Sequence, residues 1–393
     1  MVVTLVRNVG TLASGVRGVA PLHDTTITIH DGVIAEIGGE PPRPDVVIDA
    51  AGLSAIPGLI DGHVHPTFGE WTPAQNSVGW IGNYLQGGTT AMVSAGELHV
   101  PGLSLDDLNP QIALALALTS RATTGRVRPS GVKVHSGTLL LVPGLSETDF
   151  DRMHEGGLRF LKFIFYDWNR AADGEAQNYV RWAHDRDMSV KIHSGGVSRS
   201  GSSRIAGYDV VVSAQPDVVA HISGGPIPMP DDEIVRVIDD LPRAAIEVCS
   251  SMNYRATRVA VEHLQKCHGL SRLTLGTDTP GGTGVIPRGM LRNVCFLASI
   301  CGLDPVTALA AATHNVAQAH GLSGGVLEPS YPADLVLCGP IQGSGASDAL
   351  ECFALGDIPG ISMVLVDGVP LVQGRSTQTP PPRNLASLRA LHR

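Results

Sequence analysis

The sequence predicts an α/β fold: a TIM-like (β/α)8 barrel with a small β-sandwich domain formed by both chain termini. Three observations predict it. Short apolar runs alternate with helical patterns through the middle of the chain, and an Asp-Gly hairpin signal stands near each end. The 393 residues also include 46 Gly and 27 Pro, an excess that supplies many tight loops without reaching low complexity.

Near the N-terminus, Thr26-Ile-Thr-Ile-His30 and Val33-Ile-Ala-Glu-Ile37 flank Asp31-Gly32, a pair that readily takes the positive φ angles of a two-residue turn. Val46-Val-Ile48 adds another apolar run. The pattern returns as Ser362-Met-Val-Leu-Val366, Asp367-Gly368 and Val369-Pro-Leu-Val372. Either these are two unrelated hairpins or the termini meet in one domain. The second reading assigns residues 1–56 with 325–375 to the composite β-domain, 57–324 to the barrel and 376–393 to a C-terminal arm containing Pro380-Pro-Pro382. The arm is expected to be extended, as an oligomer contact or, by default, a frayed end.

In the central region the strand candidates are Thr90–Ser94, Gly131–His135, Phe160–Ile164, Ser189–His193, Val218–His221, Ala245–Val248 and Leu273–Gly276. Helical patterns intervene at about 105–120, 174–187, 231–240, 254–268, 289–302 and 304–320. Such alternation implies parallel strands with crossover helices. An open doubly wound sheet would satisfy it too. No GxGxxG follows the first strand, however, and no GxxxxGK[ST] is present, so neither nucleotide fingerprint supports that sheet.

Composition excludes several classes. A net charge of −9 argues against nucleic-acid binding, which needs clustered Lys and Arg. No run approaches the 18 or so apolar residues of a membrane span. Met1–Arg7 lacks the pattern of a signal peptide. Six scattered Cys without a CxxC pair read as reduced thiols, and the expected location is cytoplasmic. What stands out is 15 His.

The strongest local signal is Pro57-Gly-Leu-Ile-Asp-Gly-His63-Val-His65. Residues two apart on a strand share a face, so both imidazoles can converge on one ion. His193 and His221 also end apolar strands and lead into Ser-Gly-Gly turns. These turns either offer N–H groups to an anionic or carbonyl group or are simply tight turns. Asp278 follows another strand end, and Lys162 sits inside Phe160-Leu-Lys-Phe-Ile-Phe165, where an unpaired ammonium is costly. From His65 onward these residues are separated by about three, one, one and two repeats of roughly 31 residues, the period of a barrel of about 250 residues. That places them on strands 1, 4, 5, 6 and 8, at the ends where barrel active sites are built.

This constellation resembles the metal-dependent amidohydrolase superfamily, and the resemblance covers nearly the whole chain. Ala311-Ala-Thr-His-Asn315 and Ala333-Asp-Leu-Val336 are similar as well. Further stretches, including Pro216–Gly225, Gly282–Pro287 and Gly356–Ile361, resemble a branch that opens cyclic enamides. That branch carries an acidic residue on strand 4, where this chain has Lys162.

The resemblance implies a hydrolase that opens a cyclic amide (a lactam or enamide of an N-heterocycle). It would hold two divalent ions on His63, His65, Lys162, His193, His221 and Asp278. Zn²⁺ suits these ligands first, with Fe, Mn or Co also compatible. A CO2-derived carbamate on Lys162 and a hydroxide would bridge the ions. Asp278 would take a proton from that water and pass it to the leaving nitrogen. A homotetramer is implied too, with no nucleic-acid or membrane partner. His135, His99 and Asn253 are candidate substrate contacts, whereas Glu97 reads either as support behind the metal ligands or as an exposed loop carboxylate. Three alternatives stand beside this reading: a single ion beside an uncarboxylated Lys162, a deaminase or other C–N or C–O hydrolase of the same superfamily, and a non-catalytic structural barrel.

Overall fold

The computed structural model describes residues 2–39, 41, 43–66, 79–97, 103–104, 107–169, 171–196, 205–224, 227–250 and 253–391. Its strands in chain order begin with β1 (Val3–Leu12), β2 (Leu22–His30), β3 (Val33–Ile37), β4 (Val46–Asp49) and β5 (Ser54–Pro57). The central strands are β6 (Leu59–Val64), β7 (Thr89–Ser94), β8 (Lys133–His135), β9 (Leu139–Leu140), β10 (Phe160–Phe163), β11 (Ser189–His193), β12 (Val218–Ala220), β13 (Ala245–Cys249) and β14 (Leu273–Gly276). The last are β15 (Leu335–Gly339), β16 (Gly360–Val366), β17 (Val369–Val372) and β18 (Ser387–Ala390).

Both ends of the chain enter one nine-stranded sheet, ordered β17-β16-β15-β5-β1-β2-β3, with β4 pairing β1 and β18. Asp31 and Gly32 have φ of 47° and 86°, and Asp367 and Gly368 have 47° and 72°, so both turns adopt the backbone their Asp-Gly pairs favour. The two turns pack on each other: a Cβ on Gly32 would come within 2.6 Å of the Asp367 carbonyl oxygen. The core of this sheet includes Val6, Val9, Ile27, Ile29, Leu335 and Leu365. Burial of each such side chain contributes about 1.5–3 kcal/mol.

The central strands run parallel, in one sheet ordered β14-β13-β12-β11-β10-β9 and a second ordered β6-β7-β8. Asp278 N–H donates to His63 O and His65 N–H to Thr279 O at the β14–β6 edge. At the other edge β8 continues through a short break into β9, which pairs with β10. The strands thus curl into a closed barrel. Most are buried on both faces, as parallel strands sheathed by helices must be.

Two of the expected helices lie differently. The first begins at Pro110 rather than near 105, because the Asn109 side chain accepts from Gln111 and Ile112 N–H and a proline follows it at the first helical position. The stretch expected as one helix over 304–320 is two, Pro305–Ala310 and His314–Ala319, parted at Thr313, where φ is −137° and ψ −96°. The tail differs too. β18 pairs antiparallel with β4, Ser376 Oγ donates to Gln86 O, and Arg383 N–H donates to Pro340 O, so it is a strap on its own chain rather than a frayed arm. No helix among the described residues is long and apolar enough to cross a membrane.

Candidate metal centre

The strand rule brings His63 and His65 to one face at the end of β6, with ring centroids 5.1 Å apart. His63 Nδ1–H donates to Glu247 Oε1 at 2.5 Å, and His65 Nδ1–H donates to Gly96 O at 2.8 Å. Each ring therefore turns its Nε2 inward. His65 Nε2 meets Asp278 Oδ1 at 3.1 Å, and His63 Nε2 lies 3.6 Å from the same oxygen. Asp278 itself is held at φ 60°, in the left-handed region that most side chains avoid. Gly282 makes that placement possible, since a Cβ there would fall 1.7 Å from Asp278 Oδ2.

His193 and His221 complete the ring of imidazoles from the neighbouring strand ends. His193 Nε2–H donates to Gly196 O at 2.8 Å, leaving Nδ1 to face His221 Nε2 at 3.1 Å. The His221 and His63 rings are 5.3 Å apart. Burial, together with neighbouring cationic groups, pushes His63 and His221 well below the ordinary histidine range and His193 down to about 4. These rings are thus neutral near pH 7, the form a metal ligand needs.

Lys162 is fully buried on β10, and its Nζ has no hydrogen-bond partner among the described residues. Burial and the nearby Lys191 ammonium push it down to about 7. His63 Nε2 and His221 Nδ1 are likewise buried without hydrogen-bond partners. A donor set of neutral imidazoles, a carboxylate and a buried amine, with orphaned nitrogen atoms among them, fits divalent cations well.

Three buried groups near these atoms were not singled out from the sequence. Glu247 on β13 accepts from both His63 and Lys191, and the Lys191 ammonium also donates to Gly62 O. Burial raises the Glu247 carboxyl, but Lys191 and Lys162 outweigh it and hold the group below its usual value. Asp61 accepts from Thr277 N–H and Oγ1–H, tying β6 to the residue before Asp278. Glu247 and Lys191 were legible in principle, since each is a charge inside an apolar run, as Lys162 is.

The remaining candidates separate. His135 ends β8, and burial pushes it down to about 4. Asn253 has its side-chain oxygen engaged by Ala256 N–H, capping the helix Tyr254–Lys266. His99 lies outside the described residues. Glu97 is buried rather than exposed, because Ser94 Oγ–H and Gly137 N–H both donate to it.

The amidohydrolase family profile matches residues 54–371. The chain belongs to the amidohydrolase family. Enamidase from Eubacterium barkeri is 38% identical over 389 residues, covering 98% of this chain and 99% of that protein. The crystal structure of enamidase, described as a new member of the amidohydrolase superfamily, aligns with a TM-score of 0.90 over 98% of this chain and 100% of that one. Adenine deaminase from Ruegeria sp. (strain TM1040) is 27% identical over 353 residues, and the match spans 54% of its length. A structure of molinate hydrolase, 16% identical over 94% of each chain with a TM-score of 0.59, shares the amidohydrolase fold. Amidohydrolases generally work with a divalent metal centre, and the imidazoles at the barrel mouth are where this one has suitable donors.

Proposed function

We propose that this amidohydrolase opens a cyclic amide, a lactam or enamide of an N-heterocycle, by adding water across the C–N bond. The observation that carries the reading is the pair of Nε2 atoms of His63 and His65 beside Asp278, on a chain similar to enamidase from end to end. His63 and His65 would hold one ion with Asp278, and His193 and His221 a second, with Lys162 between them as a carbamate formed from its neutral amine and CO2. Bound there, two divalent ions, Zn²⁺ by preference, would polarise the scissile carbonyl and acidify a water molecule.

The chain's own groups then have definite tasks. Asp278, turned towards the site by its left-handed backbone, accepts a proton from the attacking water and returns it to the departing ring nitrogen. Water oxygen joins the carbonyl carbon, the C–N bond breaks, and the products are a carboxylate and the freed amine or enamine. Glu247 and Gly96 O hold His63 and His65 in the tautomer that keeps Nε2 unprotonated. His135 and His99 are read as substrate contacts, whereas Asn253 is read first as a helix cap.

The wider assignments belong to the same reading. Residues 1–56 with 325–375 would form the sandwich domain, to which β18 of the strap adds an edge strand, and 57–324 the catalytic barrel. A homotetramer follows the resemblance to enamidase, and six free cysteines suit a reducing cytoplasm. The test is metal analysis combined with a spectrophotometric screen of oxo-tetrahydropyridines, hydantoins, dihydropyrimidines and adenine. About two ions per chain with ring opening, both lost in His63→Ala, supports the reading. Release of ammonia from adenine without ring opening replaces it with a deaminase.

A further inference from the structure

Three ionisable side chains form a buried line beneath the imidazoles: His63, Glu247 and Lys191 are 0%, 0% and 5% exposed. Glu247 gives Oε1 to His63 Nδ1–H at 2.5 Å, shared with the Cys249 thiol at 3.6 Å, and Oε2 to the Lys191 ammonium at 2.7 Å. Lys191 is fixed from a third side by Gly62 O at 2.6 Å, one residue before His63. The line joins strands β6, β11 and β13 and leaves the carboxylate no freedom to rotate away.

We propose that Glu247 is the positioning residue that selects the metal-binding tautomer of His63, and that Lys191 makes this selection strict. The inference rests on the metal centre described above. An ionised carboxylate can only accept, so His63 must carry its proton on Nδ1 and present Nε2 as a lone pair. Lys191 can only donate, so it requires an acceptor oxygen on its side of residue 247. A glutamine at 247 has a single oxygen. Lys191 captures it, and the amide NH2 is turned towards His63 Nδ1. The imidazole must then accept there, its proton moves to Nε2, and the ligand atom is lost.

This logic yields a result that a merely space-filling role would not. Glu247→Gln, nearly isosteric, is expected to bind metal about 10- to 100-fold more weakly than wild type. Adding Lys191→Met frees the glutamine oxygen to face His63, so the double variant recovers most of that loss although it carries more changes. The measurements are metal affinity by competition with a chromophoric chelator and the His63 tautomer by 15N chemical shift, on full-length protein with its fold checked by near-UV circular dichroism. Weak binding in Glu247→Gln with an Nε2-protonated His63, and recovery in the double variant, supports the proposal. Wild-type affinity in Glu247→Gln overturns it, as does a folded double variant that binds no better than Glu247→Gln. If Glu247→Gln fails to fold, the double variant decides: it carries no unbalanced charge, and near-wild-type affinity supports the assignment while weak binding overturns it. Wild-type protein that takes up no metal overturns the metal centre itself, an outcome distinct from a centre that fills without needing Glu247.

Discussion

Lys162 and Lys191 sit side by side in register across the β10–β11 ladder, both buried, yet among the described residues only Lys191 has hydrogen-bond partners. The pairing of one lysine with Glu247 and the isolation of the other separate a fixed ammonium from an amine open to chemistry. A neutral buried amine can take up CO2, and the carbamate it forms is an anion that two cations would hold.

Lys162→Met is therefore expected to remove one metal equivalent and lower activity on the order of 10²- to 10³-fold. The metal-free variant should nonetheless melt a few degrees higher, because a buried polar amine without a partner has been replaced by an apolar chain. Elemental analysis, a melting curve and native mass for the CO2 adduct check this. Unchanged metal content would remove Lys162 from the site.

Gly282→Ala tests how closely Asp278 must be placed. The added methyl would fall 1.7 Å from Asp278 Oδ2 and push the carboxylate aside. Activity should drop about 100-fold with the fold intact. A variant as active as wild type would show that Asp278 tolerates displacement.

Acid stability should carry the signature of His320, away from the imidazole ring. Burial pushes it down to about 3, its Nε2 has no partner, and its ring lies edge-on to Phe160 at 5.8 Å. A folded value below the unfolded one means the stabilisation is complete above about pH 6.5 and is lost as pH falls towards 3. His320→Phe should flatten the acid limb of stability by about 1.4 kcal/mol per pH unit within that window. An unaltered slope in urea titrations at several pH values would contradict this.

Truncation after Arg375 should cost on the order of 3 kcal/mol, since several backbone and side-chain hydrogen bonds disappear with the strap. Among them Ile361 N–H loses Thr379 Oγ1 at 2.9 Å, and β4 loses β18 along its free edge. Denaturant midpoints compare the two chains. Equal midpoints would mean that the strap contributes nothing.

Much of this was legible in residue patterns. The barrel strands lie where apolar runs end in His, Gly or Ser, because a parallel strand buried on both faces leaves a near-continuous apolar trace. The metal-ligand candidates are legible for the same reason, since polar groups interrupting such traces need a purpose. Glu247 and Lys191 interrupt their traces equally, but their partners lie on other strands, and only the barrel's closure brings them to His63. The helix at Glu147–Glu155 was missed although Ser146 and Asp149 form a capping box, because its apolar face is narrow, with only Phe150 and Met153 buried. The extended character of the strap was legible from its prolines, but its docking was not, because the residues that receive it lie far away in the chain.

The joining of both ends in one sheet has a consequence for biogenesis. β5 pairs with β1 on one side and β15 on the other, with the entire barrel strung between β5 and β15. As the chain leaves the ribosome, β1 to β5 emerge first and must wait, with β5 lacking its second neighbour, until the barrel has been made. These are contacts of long sequence separation, which form slowly. An unfinished chain therefore presents an open strand edge, and the sheet is completed only after the intervening barrel has been synthesised.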